Sequence, residues 1–232
     1  MLALLLVLLF IVWNGSWAIR HFVAEAYCNT VTNSTLNRDQ DPPLEEIKMA
    51  IKWDRWNAEY WYKRAKRLWK IRAGKIGNLN ADEENRYSLK GDIVGSLEEA
   101  VRLNPFRAQY HLRLEWEYAS MFKDPHYPDK WLPAADMYME RAAYFAGENN
   151  PYVHVHLGDY WAFRSRTIDT AGPEWEATWT KACWHYKKAQ SLERKRKLAD
   201  RIVGYVWKYY PDKEVVRKAL LGDNRSLVEE LK

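Results

Sequence analysis

The chain has 232 residues and only two cysteines, Cys28 and Cys183. A zinc framework of four Cys/His ligands at ribbon or knuckle spacing is therefore excluded. No Cys-x-x-Cys-His occurs, which removes covalently attached haem. Glycine and proline are scarce, at 10 and 9 residues, and they fall between periodic segments, as an all-helical protein would place them. Neither sign of charge dominates. The 36 basic and 31 acidic residues leave +5, too mild an excess to imply nucleic acid. Glu98, Glu99, Glu115 and Glu117 have no spaced partner that would suggest general acid–base work, and they read as solvated faces. His154 and His156, two apart on a helix, point about 200° apart and cannot share an ion. The sequence thus offers no catalytic residue, no metal ligand and no cofactor, and the protein is not read as an enzyme.

What the chain has is aromatic mass, 13 Trp and 15 Tyr, and one long apolar run. Residues 2–13 are unbroken hydrocarbon, and with the residues up to Ile19 the segment reaches roughly 27 Å as a helix, barely enough to span a bilayer. A signal peptide would be cut after Ala24-Glu-Ala26. An uncleaved anchor over residues 1–19 is preferred, because no Lys or Arg precedes the run and Arg20 and His21 separate it from that cleavage site. Trp13 and Trp17 would sit near the interface. Residues 20–43, closing in Pro42-Pro43, read as a polar tether to the folded body. The basic residues after the run favour a cytoplasmic body; its N-terminal position favours export, which is the expectation kept here.

From Leu44 the pattern becomes periodic. Ile93, Leu97 and Ala100 line one face of a helix, Asn104-Pro105 ends it, and His111, Leu114 and Tyr118 line the next. The same plan recurs as Ile47 and Ala50 before Trp61, Ala65 and Leu68; as Ala135-Met139-Ala142, then Asn150-Pro151, then His154, Leu157, Gly158 and Trp161; and as Ala182-Tyr186-Ala189 before Val203, Gly204 and Trp207. This pattern resembles the tetratricopeptide repeat, a helical hairpin of about 34 residues with large, small and proline positions at fixed offsets. The resemblance implies an all-α fold, an irregular tetratricopeptide-like solenoid of about four hairpins behind an N-terminal transmembrane helix. It covers residues 44–222, with a tail at 223–232. The units start at Ala58, Ala108, Pro151 and Lys197, farther apart than in the family, and the extra residues fall inside hairpins at 73–92, 121–133 and 165–178. Arg64 and Glu115 stand where the family prefers Leu and a small residue.

In that family, ligands lie in a groove lined by the first helix of each hairpin. Carried over by position, the resemblance implies a partner-binding groove of Tyr62, Lys66, Trp69, Trp116, Tyr152, Asp159, Phe163, Arg201, Tyr205 and Tyr209. Aromatic rings with scattered charge suit an extended peptide or a partner helix. The alternative is that these rings pack against neighbouring hairpins. His111 and His154 match the motif's Trp position, so a core role is expected for both. The cluster Arg194, Lys195, Arg196 and Lys197 is either a solvated face or a contact for anionic lipid or glycan.

The Asn-Pro turns followed by Tyr-His-x-x-Leu or His-x-x-Leu-Gly also resemble the repeat domains attached to bacterial O-antigen ligase and polymerase-like membrane proteins. That resemblance implies a non-catalytic scaffold mediating protein–protein interaction in an envelope assembly, such as polysaccharide or secretion machinery. Together with the apolar run, this gives the expectation of a single-pass protein of the bacterial inner membrane with its body in the periplasm, the alternative being a cytoplasmic body. The alternative is an accessory or catalytic module of an envelope glycan-transfer enzyme.

Overall fold

The computed structural model describes residues 2–34, 42–76, 83–121, 131–147, 149–168 and 173–192. Among them the chain is entirely helical, with no strand: α1 (Leu2–Ser34), α2 (Leu44–Trp53), α3 (Ala58–Ile76), α4 (Glu83–Leu103), α5 (Ala108–Ala119), α6 (Trp131–Ala146), α7 (Pro151–Ser165) and α8 (Pro173–Leu192). It divides into two compact units, Met1–Ala135 and Asp136–Lys232.

α1 is one helix of 33 residues, and it corrects the expectation that residues 20–34 belong to a tether. No proline or glycine follows Gly15 until Pro42, so nothing in the backbone stops the helix. Tertiary packing then holds it. Ala24 and Cys28 are buried against Ala50 of α2 and Tyr60 of α3, with Tyr27 and Ile51 at the edge. His21 Nδ1 lies 3.0 Å from Asp54 Oδ2, and the Tyr60 hydroxyl donates to Glu25 at 2.9 Å. Leu4–Cys28 is a stretch of 25 residues long and apolar enough to cross a membrane.

α2 starts after Pro43, carries Glu45 and Glu46 in its first turn and Lys52 in its last, and so matches its own dipole. α3 and α4 run antiparallel and absorb much of the first expected insertion, α3 by continuing to Ile76 and α4 by starting at Glu83. Arg64, an apolar position in the repeat family, is accommodated because its guanidinium donates to Ser96 Oγ at 2.6 Å and to Asp92 at 3.2 Å. Most packing positions read from the sequence are buried, Ile47, Ala50, Ala65, Leu68, Ile93, Leu97, Ala100, His111 and Leu114 in the first unit, whereas Trp61 and Tyr118 are only half-buried. In the second unit Met139, Ala142, Leu157, Trp161, Ala182, Tyr186 and Ala189 are buried as well. Each large side chain withdrawn from water contributes about 1.5–3 kcal/mol.

α7 has a strong start signal. Pro151 occupies its first turn, and Asn150 Oδ1 accepts from the backbone N–H of Tyr152 at 3.1 Å and of Val153 at 3.3 Å. Gly158 is dictated by its neighbour: a Cβ there would meet the Tyr186 ring at 2.5 Å.

Candidate partner-binding surface

In the first unit the expected groove residues fall along a shared face of α3 and α5. Gln109 Nε2 donates to the Tyr62 hydroxyl at 3.0 Å, and the Tyr62 and Tyr110 rings are 5.0 Å apart. One turn further, the Arg113 guanidinium stacks 4.5 Å above the Trp69 ring. Beyond it, Arg72 reaches Glu117 at 2.8 Å, while Arg113 approaches the same carboxylate at 3.3 Å. Partners advance together along both helices, so α3 and α5 run in the same direction, with α4 antiparallel to each. Across α4 and α5, the Tyr118 hydroxyl donates to Glu98 at 2.7 Å and Lys90 to the Ser120 carbonyl at 3.3 Å. Lys66 is exposed on α3 between Tyr62 and Trp69. Trp116, one turn past Arg113, keeps 49% of its surface exposed.

Glu117 overturns the reading of Glu115 and Glu117 as solvated. Glu115 is buried, and Glu117 is 0% exposed. Its carboxylate lies within ion-pairing distance of two guanidiniums without an in-line hydrogen bond to either. Burial pulls the Arg113 pKa down, and Glu117 opposes that shift. The signal was present in the sequence. Tyr110, Leu114 and Glu117 recur at spacings of four and three, so Glu117 shares the buried face, and Arg113 stands four residues before it.

His111, expected in the core, is buried, and its Nε2 donates to the Pro105 carbonyl at 2.6 Å. The ring closes the Asn104-Pro105 turn, whose following helix has no side-chain cap at Arg107. Next to it, Arg107 pairs with Glu59 at 2.5 Å and the Tyr110 hydroxyl donates to Glu59 at 3.0 Å. Burial, reinforced by Glu59, pushes the Tyr110 phenol up to about 12.

The second unit departs from the groove pattern. Tyr152 is exposed on the first turn of α7 and Phe163 is half-buried. Asp159, however, is buried and accepts from the Tyr186 hydroxyl of α8 at 2.8 Å. Val155 and Ala162, one turn to either side of Asp159, are buried too. α7 is apolar nearly all round, and such a helix is enclosed rather than open on one side. α6 adds Asp136, which accepts from the Tyr160 hydroxyl and pairs with Arg164 at 3.1 Å.

His154 occupies a core position as expected, and it faces a second imidazole that sequence spacing gave no means to find. His154 Nδ1 and His185 Nδ1 are 3.0 Å apart, with Trp184 edge-on to both rings. Burial, then His154 and Lys181, push the His185 pKa down to about 4. A contact this short requires one ring to donate and the other to accept, so at most one ring is protonated on both nitrogens. Burial also pushes the Cys183 thiol up to about 11, so it is not an activated nucleophile. Among the described residues no group of three or more His, Cys, Asp or Glu side chains could hold a metal ion.

Arg201, Tyr205 and Tyr209, the packing positions Val203, Gly204 and Trp207, the basic cluster Arg194, Lys195, Arg196 and Lys197, and the tail at 223–232 lie outside the described residues. No protein-family model, curated protein or solved structure matches the chain.

Proposed function

We propose that this protein is a non-catalytic, membrane-anchored helical scaffold whose α3–α5 face holds a protein partner in a bacterial envelope assembly. The observation that carries the reading is the ladder between α3 and α5. Two parallel helices bound through Tyr62–Gln109 and Trp69–Arg113 form a stiff wall, and the half-exposed Trp116 stands on α5 while Lys66 is exposed on α3. A rigid aromatic on a preorganised wall binds at low entropic cost. Parallel first helices with an antiparallel helix between them also support an irregular tetratricopeptide-like solenoid as the architecture.

Retention of the N-terminal helix is supported by the packing of Ala24 into the body and by the Tyr60–Glu25 bond. Cleavage after Ala26 would remove both. We propose that the body lies outside the cytoplasm, as the position of the apolar run at the N-terminus favours. Alkaline phosphatase fused after Lys232 should then be active, and an inactive phosphatase with an active cytoplasmic reporter reverses the orientation. Protein isolated from membranes whose sequence begins at Tyr27 rejects the anchor.

A photo-crosslinking residue placed at Trp116 tests the scaffold directly. In native membranes it should capture one reproducible protein, identified by mass spectrometry and lost when the residue is moved to the opposite face of α5. Capture of lipid alone, or of nothing, rejects this face as a partner site.

A further inference from the structure

The contact between α1 and the α2–α3 turn fixes where the apolar run ends relative to the first unit. The apolar run ends at Ile19, and His21, about 3 Å further along the helix, touches Asp54 in that turn. α1 then rises away from the run while α2 descends beside it, Cys28 packing near Ala50 and His21 meeting Asp54 at the bottom. The α4–α5 turn lies at the same end. The Arg102 guanidinium sits 5.9 Å from the Trp56 ring, and Arg107 pairs with Glu59 in the first turn of α3.

This end carries large aromatic side chains in water. Trp56 is 60% exposed and Phe106 is 74% exposed, with Trp53 partly exposed beside them. Arg20, Lys52 and Arg55 are exposed around them, whereas Asp54 is buried against His21 and Glu59 is paired with Arg107. The rim is therefore aromatic and cationic, with Asp54 buried in a hydrogen bond to His21 and Glu59 held by Arg107. Exposed aromatic rings flanked by Lys and Arg at the level where a span ends have the composition of a bilayer interface: indoles sit among headgroups, and basic groups attract anionic lipid.

We infer that the α2–α3 and α4–α5 turns form a membrane-docking rim, in which Trp53, Trp56 and Phe106 enter the interface and Arg20, Lys52 and Arg55 bind anionic phospholipid headgroups. The first unit thus rests on the membrane surface as a rigid extension of α1. This rests on the reading of α1 as a membrane anchor, and the test separates the two.

Full-length protein is reconstituted in phosphatidylcholine nanodiscs with or without phosphatidylglycerol. Native Cys28 and Cys183 are buried, so an environment-sensitive fluorophore is directed to single cysteines introduced by F10C, W56C or K70C. Quenching by lipids brominated at shallow or deep acyl positions reports depth. Deep quenching is expected at position 10, shallow quenching at 56, and severalfold weaker quenching at 70, fourteen residues (~21 Å) further along the chain and its helix. Phosphatidylglycerol should strengthen the signal at 56, and K52E with R55E should abolish that increment. Quenching at 10 with none at 56 overturns the docking rim and leaves the anchor standing. Absence of quenching at 10 rejects the anchor itself. Burial of the label at 56 only when native membrane proteins are added assigns the rim to a protein and overturns the lipid inference.

Discussion

The two units bury polarity in opposite ways. The first buries full charges, Glu117 between Arg72 and Arg113. The second buries an imidazole pair, His154–His185, and a single carboxylate, Asp159, that accepts from the Tyr186 hydroxyl. A buried ion cluster fails when one member is removed, because the others are left charged in a poor solvent. A buried imidazole pair fails instead when protons are supplied. The first unit should therefore be sensitive to substitution, and the second to packing and to pH.

Breaking the charge cluster should have the largest effect. Glu117→Ala leaves two guanidiniums facing each other and should cost about 3–5 kcal/mol of stability, read by denaturant unfolding. Loss should concentrate in α3 and α5 by hydrogen exchange. A cost near zero would mean that water reaches the cluster and the comparison fails.

Next in size is Gly158→Ala in the second unit. The added methyl group meets the Tyr186 ring, and overpacking of this kind costs about 1–3 kcal/mol. Slowed exchange or an unchanged midpoint would show that the ring can move aside. Acidification comes third. The His185 pKa lies at about 4 in the fold against 6.5 unfolded. Between those values the unfolded chain binds the extra proton. Stability is complete above pH ~6.5 and falls as pH drops towards ~4. Allowing for partial solvent access, the loss should be about 1–2 kcal/mol. It should be confined to α7 and α8 by hydrogen exchange and flattened in His185→Phe. An equal loss in α3–α5 would remove the contrast between the units.

The smallest stability effect is expected at Trp116→Ala. The side chain is half-exposed, so folding should change by no more than about 0.5 kcal/mol, while partner capture weakens by about 2 kcal/mol. A mutant that melts far lower and loses capture only by unfolding rejects Trp116 as a binding anchor.

The two Asn-Pro turns show how far local sequence carries. At Asn150-Pro151 the Asn caps the helix and the Pro opens it, as its chemistry alone dictates. At Asn104-Pro105 the helix starts later and uncapped, and a buried histidine six residues on closes the turn. The dipeptide specifies a break in both places, but not which side chain secures it.

By itself the sequence determined the helices and their buried positions, because a 3.6-residue period of large and small side chains depends only on neighbours along the chain. It marked the apolar run of α1 for the same reason. Tertiary structure decided the rest. It turned an apparent tether into helix by packing Ala24 and Cys28 on α2 and α3. It buried Glu117 by supplying Arg72 from another helix, enclosed Asp159 beneath Tyr186, and left Trp56 and Phe106 exposed in the α2–α3 and α4–α5 turns. Each of these depends on groups far apart in sequence, whose encounter no local period encodes, and on a buried charge or an exposed ring having meaning only beside its partner.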